Sequence, residues 1–451
     1  MNGPAARRGV EETVQPESSF LSPALPQEPD VVIVGAGSAG IAAARRLIAA
    51  GLTVTVLEAR SRIGGRTVTR AIKGHPLDLG AHWLHAGPIN PLVKLGHARG
   101  EPLRRAPVDG HVFVRGRPAG RAQSAALDRA FAMADRAMNQ AARAQEDQPA
   151  AKALPPMGPM GSRVKEIHGL VSGRPLAQVS LHDFPSMEYE DNLFIAGGLG
   201  AYVARLGQCL PIRLGVAVQA VDWSGPGVRI ETSAGALKAR AVIVTAPMAV
   251  LQREAIRFTP SLPDAVEHAV HGFTQGVYEH MVLHWPDSPF RGADRLASLL
   301  GTRREPPGLL TCIDGSPFHF FELDQPAAAT LDGRDAHAPA RFARAVLAEH
   351  FGHGAIRNLS VVFSTAWRHD PWSRASWAVV PPGLYRIRDV LKAPVAERVW
   401  FAGEALSRAQ WGTAGGAWEE GERVAGEIIA QLLPNHRMSE EPEPIAARTG
   451  S

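Results

Sequence analysis

Four apolar residues in a row, Val31–Val34, run into the glycine-rich stretch Gly35-Ala36-Gly37-Ser38-Ala39-Gly40. A helical pattern, Ile41–Ala50, follows and stops at Gly51; the alternating run Thr53–Leu57 then ends on Glu58. Strand, glycine turn, helix and strand in so short a span predict one βαβ unit. Ala122–Gln148 is helical in composition (Ala, Arg, Met, Gln) and is broken by Pro155, Pro156 and Pro159. Between Ile212 and Thr245 the apolar positions fall in three groups: Val216, Val218 and Val221; Val228 and Ile230; Val242–Val244. They predict three short strands with turns at Gly225–Gly227 and Gly235. Ser261–Pro394 is mixed in pattern and rich in Trp and Pro, and Val399–Leu433 reads as a strand, a loop and a strong helix. No internal repeat or low-complexity tract interrupts this order.

Composition narrows the class. A chain of 451 residues, 45% hydrophobic and 20% charged, can bury a sizeable core, and at roughly 100–200 residues per domain it predicts two or three domains. The 45 Gly and 36 Pro imply many turns and short elements, while the strong patterning between them excludes collagen-like and fully disordered chains. No apolar stretch reaches the roughly 18–20 residues needed to span a bilayer. The most apolar region, Val31 to Leu57, is interrupted by three glycines of the turn, by Arg45 and Arg46, and by Gly51. Met1–Pro29 carries Arg7 and Arg8 but no apolar core behind them, so it reads as a disordered tail and not a secretory signal. Residues 435–451 read as a second tail. A cytoplasmic location is the expectation. Cys209 and Cys312 are too few for a disulfide framework or a thiolate zinc site, and no metal is expected. A net charge of +4, from 48 basic and 44 acidic residues, gives no reason to expect nucleic acid. Of the basic residues 42 are Arg and 6 are Lys, so any role that needs a lysine has few candidates.

Gly35-x-Gly37-x-x-Gly40 between a strand and a helix has the form of a dinucleotide-binding turn. Gly35 allows the turn, Gly37 lets backbone approach a pyrophosphate, and Gly40 lets helix and strand pack closely. Ser38 and Ala39 open the helix, whose N-terminus offers N–H groups and partial positive charge to the phosphates. Glu58 lies 18 residues beyond Gly40, close to the ~20 expected of a carboxylate that holds ribose hydroxyls. An acid there argues against a 2′-phosphate.

Further motifs decide between dinucleotides. Ala59-Arg60-Ser61-Arg62-Ile63-Gly64-Gly65-Arg66 follows the acid, and Leu77-Asp78-Leu79-Gly80-Ala81-His82-Trp83-Leu84-His85 comes next. At the far end stand Phe401-Ala402-Gly403-Glu404 and Gly412-Thr413-Ala414-Gly415-Gly416. With these motifs in this order the chain resembles the flavin-containing amine oxidase family, which includes monoamine, polyamine, histone-demethylase and L-amino-acid oxidases. The likeness is weak from about Glu101 to Phe194. It implies an α/β fold: a Rossmann-type FAD-binding domain assembled discontinuously from 30–105, 195–260 and 393–434, and a mixed α+β substrate domain from 106–194 and 261–392. Carried over, Glu58 would hold the adenosine ribose, and Arg60 and Arg66 would line the pyrophosphate beside Ala59, Gly64 and Gly65. Gly80, Ala81, His82 and Trp83 would pass beside the flavin, and Val218 would pair its backbone with adenine. Gly403 and Glu404 would serve the ribityl side. Thr413 and Ala414 would begin the last helix near the flavin's pyrimidine edge.

The resemblance also implies a reaction: hydride transfer from the carbon beside an amine nitrogen to flavin N5, imine hydrolysis, and reoxidation by O2 to hydrogen peroxide. Six of the nine tryptophans lie between Trp367 and Trp418. Trp377 falls where the family has one wall of its aromatic cage, and Trp411 would supply the other, since Thr413 is not aromatic. Many relatives place a lysine against flavin N5. The matching segment, Gly272 to Leu283, has none, and Tyr278 or His280 takes that place. His280 is favoured, because imidazole can hold a water and titrate near neutral pH. Relatives with covalent flavin use a cysteine where Ser376 stands, so FAD should be noncovalent. Trp83-Leu84-His85 followed by Asn90-Pro91 is similar to a polyamine-oxidase segment, which would set His85 near substrate. A polyamine tunnel would also need acids; Glu188, Glu190, Asp191 and Glu322 are available but read as solvated surface. The rival readings are an L-amino-acid oxidase and a catalytically silent FAD-binding partner protein. Oligomeric state is not readable from the chain.

Overall fold

A computed structural model describes residues 28–434 except 144, 145, 188, 189, 304, 305 and 307. The expected tails lie outside the described residues but for Glu28 and Pro29, and so does Glu188. At the centre is a five-stranded parallel sheet in the order Val399–Phe401, Ala241–Val244, Val31–Val34, Val54–Leu57, Ile212–Arg213. The three middle strands are buried along their whole length, as continuous apolar runs must be when both faces of a parallel sheet are covered.

One face carries the helices Ser38–Ala49 and Ala414–Leu432, packed on each other through Ala39, Ala43 and Leu47 on the first and Val424, Ala425 and Ile428 on the second. A glycine makes that approach possible: a Cβ at Gly421 would lie 2.1 Å from the Ala39 carbonyl oxygen. The other face is covered by a four-stranded sheet, ordered Gly235–Ala239, Val228–Thr232, Val218–Asp222, Arg257–Thr259. Five strands therefore occupy the stretch where three were predicted. Ile212–Arg213 is only two residues long, and Gly235–Ala239 is an edge strand with no buried residue and so no apolar alternation to reveal it.

A seven-stranded sheet forms the second layer system, in the order Ser360–Ser364, Glu279–His284, Phe318–Leu323, Gly308–Thr311, Arg295–Leu300, His111–Val114, Arg117–Pro118. Its strands alternate. Met281, Leu283 and Phe321 face one core with Val346 and Leu347 of the helix Ala338–Phe351. Val282, Phe318 and Phe320 face the other way, against Leu77 and Leu79. The helices Arg121–Ala141 and Gly161–Ser172 roof this second face through Leu127, Ala130, Ala134 and Met138 against Val164. The first of them ends at Ala141, short of the predicted Gln148. Beyond it Asp147 is drawn across the molecule, its carboxylate accepting from Ser180 Oγ and from the His182 and Gly383 amides. Among the described residues no helix is long and apolar enough to cross a membrane.

Candidate active site

The carboxyl ends of the parallel strands open into a cavity of about 1670 Å³ that continues past the seven-stranded sheet. Such crevices are where open α/β sheets place their ligands. Every predicted cofactor residue except Gly40 lines it. Gly40 acts beneath: a Cβ there would stand 1.9 Å from the Gly35 carbonyl oxygen, so only glycine lets helix and strand meet. Gly35 has φ +102° and Gly64 φ +99°, in the left-handed region. Gly64 donates its N–H to the Ala36 carbonyl at 2.8 Å and brings Gly65 against Gly37.

The helix Ser38–Ala49 begins without a side-chain cap and without an acid in its first turn. Its leading N–H groups thus face the cavity as an anion-binding end. Glu58 is buried beside them, one carboxylate oxygen accepting from the Ala36 amide and the other from the Arg60 amide, each at 2.8 Å. Arg60 itself is engaged elsewhere. Its guanidinium forks onto both oxygens of Asp370 at 2.7 Å and onto Ser373 Oγ. Arg66 bonds the Ser376 carbonyl and Glu404, and Glu404 also accepts from the Ala378 and Gly412 amides. The last helix is capped by Thr413, whose hydroxyl accepts from the Gly416 amide at 2.9 Å. A long cavity with a glycine cradle, an uncapped helix end and a ribose-height carboxylate fits a dinucleotide.

Farther in, the wall turns aromatic. Trp377 donates Nε1–H to the Ser172 carbonyl at 3.0 Å and packs on Gly412, where a Cβ would lie 3.1 Å from its ring. The Tyr278 ring is 5.6 Å from Trp377, and its hydroxyl donates to Glu322 Oε1 at 2.5 Å. Glu322 stands opposite His280 in the antiparallel register. It is buried, which corrects its reading as solvated surface. Burial pushes its carboxyl up to about 7, against the opposing pull of the Tyr278 hydrogen bond and nearby Arg163. The same burial holds the Tyr278 hydroxyl well above its ordinary range. The signal in the sequence was present: an acid inside the apolar run Phe318–Leu323 has nowhere to go but inward.

His280 stacks on Phe320 at 4.5 Å and meets His82 edge-on at 5.9 Å. Burial lowers His280 to about 4 and His82 to about 3, so both rings are neutral at physiological pH. The Nε2 of each has no hydrogen-bond partner among the described residues. His85 lines the cavity with Nδ1 2.9 Å from Asn192 Oδ1 and its ring stacked on Trp83. Trp411 does not line it. That ring is fully buried behind Gly412, donating to the Asp183 carbonyl at 3.3 Å with the Arg388 guanidinium 5.1 Å from its centre. The predicted set is thus divided: Trp377, His280 and His85 share the cavity, while Trp411 supports it from outside. Among the described residues no group of three or more His, Cys, Asp or Glu could hold a metal ion.

Comparison with known proteins bears on this geometry. A family profile described as flavin containing amine oxidoreductase matches residues 38–119 and 160–429. Lysine-specific histone demethylase 1B of Mus musculus is 28% identical over 449 residues, covering 89% of this chain and 53% of the relative. Polyamine oxidase 3 of Oryza sativa subsp. japonica is 26% identical, covering 91% of each chain. The chain spans about half the length of the demethylases it matches, 53% and 54% in two of them. Among solved structures, wild-type putrescine oxidase bound to putrescine superposes with a TM-score of 0.72 at 21% identity, covering 89% of this chain and 99% of that one.

Proposed function

The chain belongs to the flavin-containing amine oxidoreductase family, and on that footing we propose that it is an FAD-dependent amine oxidase. FAD held in the cradle would supply the acceptor for hydride from the carbon beside the amine nitrogen, with O2 as the electron sink and hydrogen peroxide as its product. The observation that carries this reading is one continuous cavity from the glycine cradle to the wall of Trp377, Tyr278, His280 and Glu322. The cradle residues fit the cofactor: Gly37, Gly65 and the uncapped helix end for the pyrophosphate, Glu58 for the ribose. No thiol stands beside it. Ser376 lines the cavity and neither cysteine does, which supports noncovalent FAD.

The chain's own groups prepare the amine. Only a neutral amine has a lone pair to give up, and most amines enter as ammonium ions. Glu322, held near 7, is matched to take that proton, and Tyr278 steadies the carboxylate through its hydroxyl. Trp377 and Tyr278 present aromatic surface that excludes water and favours the neutral form. His280 occupies the lysine's place as a neutral ring. Glu322 also weighs against an L-amino-acid substrate, since an ionised carboxyl beside the bound amine repels the substrate's own carboxylate.

The test is anaerobic. Purified protein with bound flavin is mixed in turn with primary amines, polyamines, peptides bearing methylated lysine, and L-amino acids, and the visible flavin band is followed. Bleaching by an amine, reversed by air with peroxide formed, is the expected result. Bleaching by L-amino acids alone would overturn the substrate reading. Bound flavin that nothing reduces would favour the silent partner protein.

A further inference from the structure

Where the glycine cradle gives way to the aromatic wall, two buried nitrogens have no hydrogen-bond partner among the described residues: Nε2 of His82 and Nε2 of His280. His82 is 6% exposed and His280 1%, and both rings line the cavity. The fold fixes their places. Gly80 packs its backbone on the cradle segment, where a Cβ would lie 2.0 Å from the Arg66 carbonyl oxygen, and His82 follows two residues on. The His280 amide donates to Thr365 Oγ1 at 2.8 Å, and that hydroxyl donates to Glu279. Phe320 braces both rings, stacked on His280 and edge-on to His82 at 5.2 Å. The tautomers follow from the other ring nitrogens. His82 Nδ1 lies 3.3 Å from the Gly80 carbonyl oxygen, and a carbonyl only accepts, so the neutral ring carries its hydrogen on Nδ1. His280 gives its ring hydrogen to the Asp78 backbone; with Nε2 unpartnered, that hydrogen too is on Nδ1. Each Nε2 is therefore a bare lone pair, a buried acceptor that calls for a donor.

We propose that His82 and His280 hold one water between them, each accepting one of its hydrogens, in the place the family gives its lysine. This role rests on the amine-oxidase reading above and adds His82 to it as the residue that positions the water for His280. A molecule with two hydrogens to give is what bare nitrogens on neighbouring rings, 5.9 Å apart centre to centre, can share. The polar groups nearby are committed elsewhere: Tyr278 donates to Glu322, and His85 meets Asn192. With both hydrogens spent on the rings, the water turns only lone pairs into the cavity. A lysine ammonium has the opposite effect, since it donates to a water and leaves that water's own hydrogens free. The histidine pair thus makes this end of the cavity an uncharged acceptor, which favours a hydrogen-bond donor in front of it. The flavin nitrogen that takes the hydride is bare before transfer and an N–H donor after it, so the held water favours the reduced cofactor.

The experiment uses the flavin-loaded protein. A crystal structure at atomic resolution should show one water within hydrogen-bond reach of both Nε2 atoms. Nitrogen NMR of isotope-labelled histidine should show two rings, assigned with His82→Gln and His280→Gln, that are bare at Nε2 and protonated at Nδ1. A dye-equilibrium titration then reads the two-electron flavin potential. His82→Phe and His280→Phe should each favour the reduced state several-fold to tenfold less, a fall of up to about 30 mV. The double variant should fall no further than either single one, because both changes remove the same water. His82→Gln, which keeps an acceptor oxygen, should recover most of the loss. A ring protonated at Nε2, no water bridging the pair, or losses that add in the double variant overturns this inference and leaves amine oxidation standing. If the protein binds no flavin, the amine-oxidase reading fails instead; the water and the tautomers are then read in the flavin-free protein, where their absence overturns the site as well.

Discussion

Glu322 and His280 stand opposite each other on neighbouring strands, and burial acts on them in contrary directions: the acid rises to about 7 and the base falls to about 4. Both are uncharged just below neutrality, so the pair creates no buried charge until the acid ionises. Activity should therefore show an acid limb, kcat/KM rising as pH passes about 7. In Glu322→Gln that limb should vanish and kcat/KM fall at least about tenfold, as for loss of a general base; a pH–rate profile of the two proteins decides it. Stability carries the opposite sign. The carboxyl is raised from 4.5 in the folded state, so its contribution is whole below 4.5 and is lost as pH climbs through about 7. The melting temperature of Glu322→Gln should thus fall less than that of the parent between about pH 5 and 8. Asp78, also raised by burial to about 6, keeps its share in both proteins and cancels from the comparison. Sequence reasoning reached His280 and passed over Glu322, because it weighed the acid by type and not by the five apolar or aromatic neighbours that share its strand with it.

Elements tell a more even story. The βαβ unit was legible because glycine spacing, apolar period and the terminal acid all agree on it, and the sheet register pairs Val31 with both Val54 and Ala241. The edge strand Gly235–Ala239 was not, since it buries nothing. What no pattern showed was how closely the first and last helices approach. Gly421→Ala would place a methyl against the Ala39 carbonyl, and a loss of about 1–3 kcal/mol in urea unfolding is expected from such overpacking. Thr413→Ala removes the cap of the last helix, with an expected cost of about 1 kcal/mol. Its flavin affinity, measured by fluorescence titration, should fall as well, because the uncapped turn frays where it borders the cavity.

Over the whole molecule, the cradle and the far sheet are joined by ties that span most of the chain. Arg60 and Asp370 stand 310 positions apart, yet share two hydrogen bonds and Ser373. Arg388 and Asp183, both fully buried, clamp the layer behind Trp411. Neither pair was legible, because nothing local in a charged residue says which distant partner it will meet. Asp370→Asn halves the charge of the first tie while keeping its shape. Flavin should leave that variant several-fold faster on dilution, followed by its fluorescence, with the unfolding midpoint of the flavin-free protein nearly unchanged.

The parallel sheet has a consequence in time. Its central strand, Val31–Val34, leaves the ribosome well before Val399–Phe401 of the same sheet and the helix packed on Ala39. Until Val399–Phe401 emerges, Ala241–Val244 presents an open edge, and until the helix Ala414–Leu432 emerges the first helix keeps a bare apolar stripe, both invitations to wrong partners. Nascent chains stalled before Val399 should carry no flavin and should bind holdase chaperones. On the proposed function, flavin loading follows the closing of this sheet and ends that exposure.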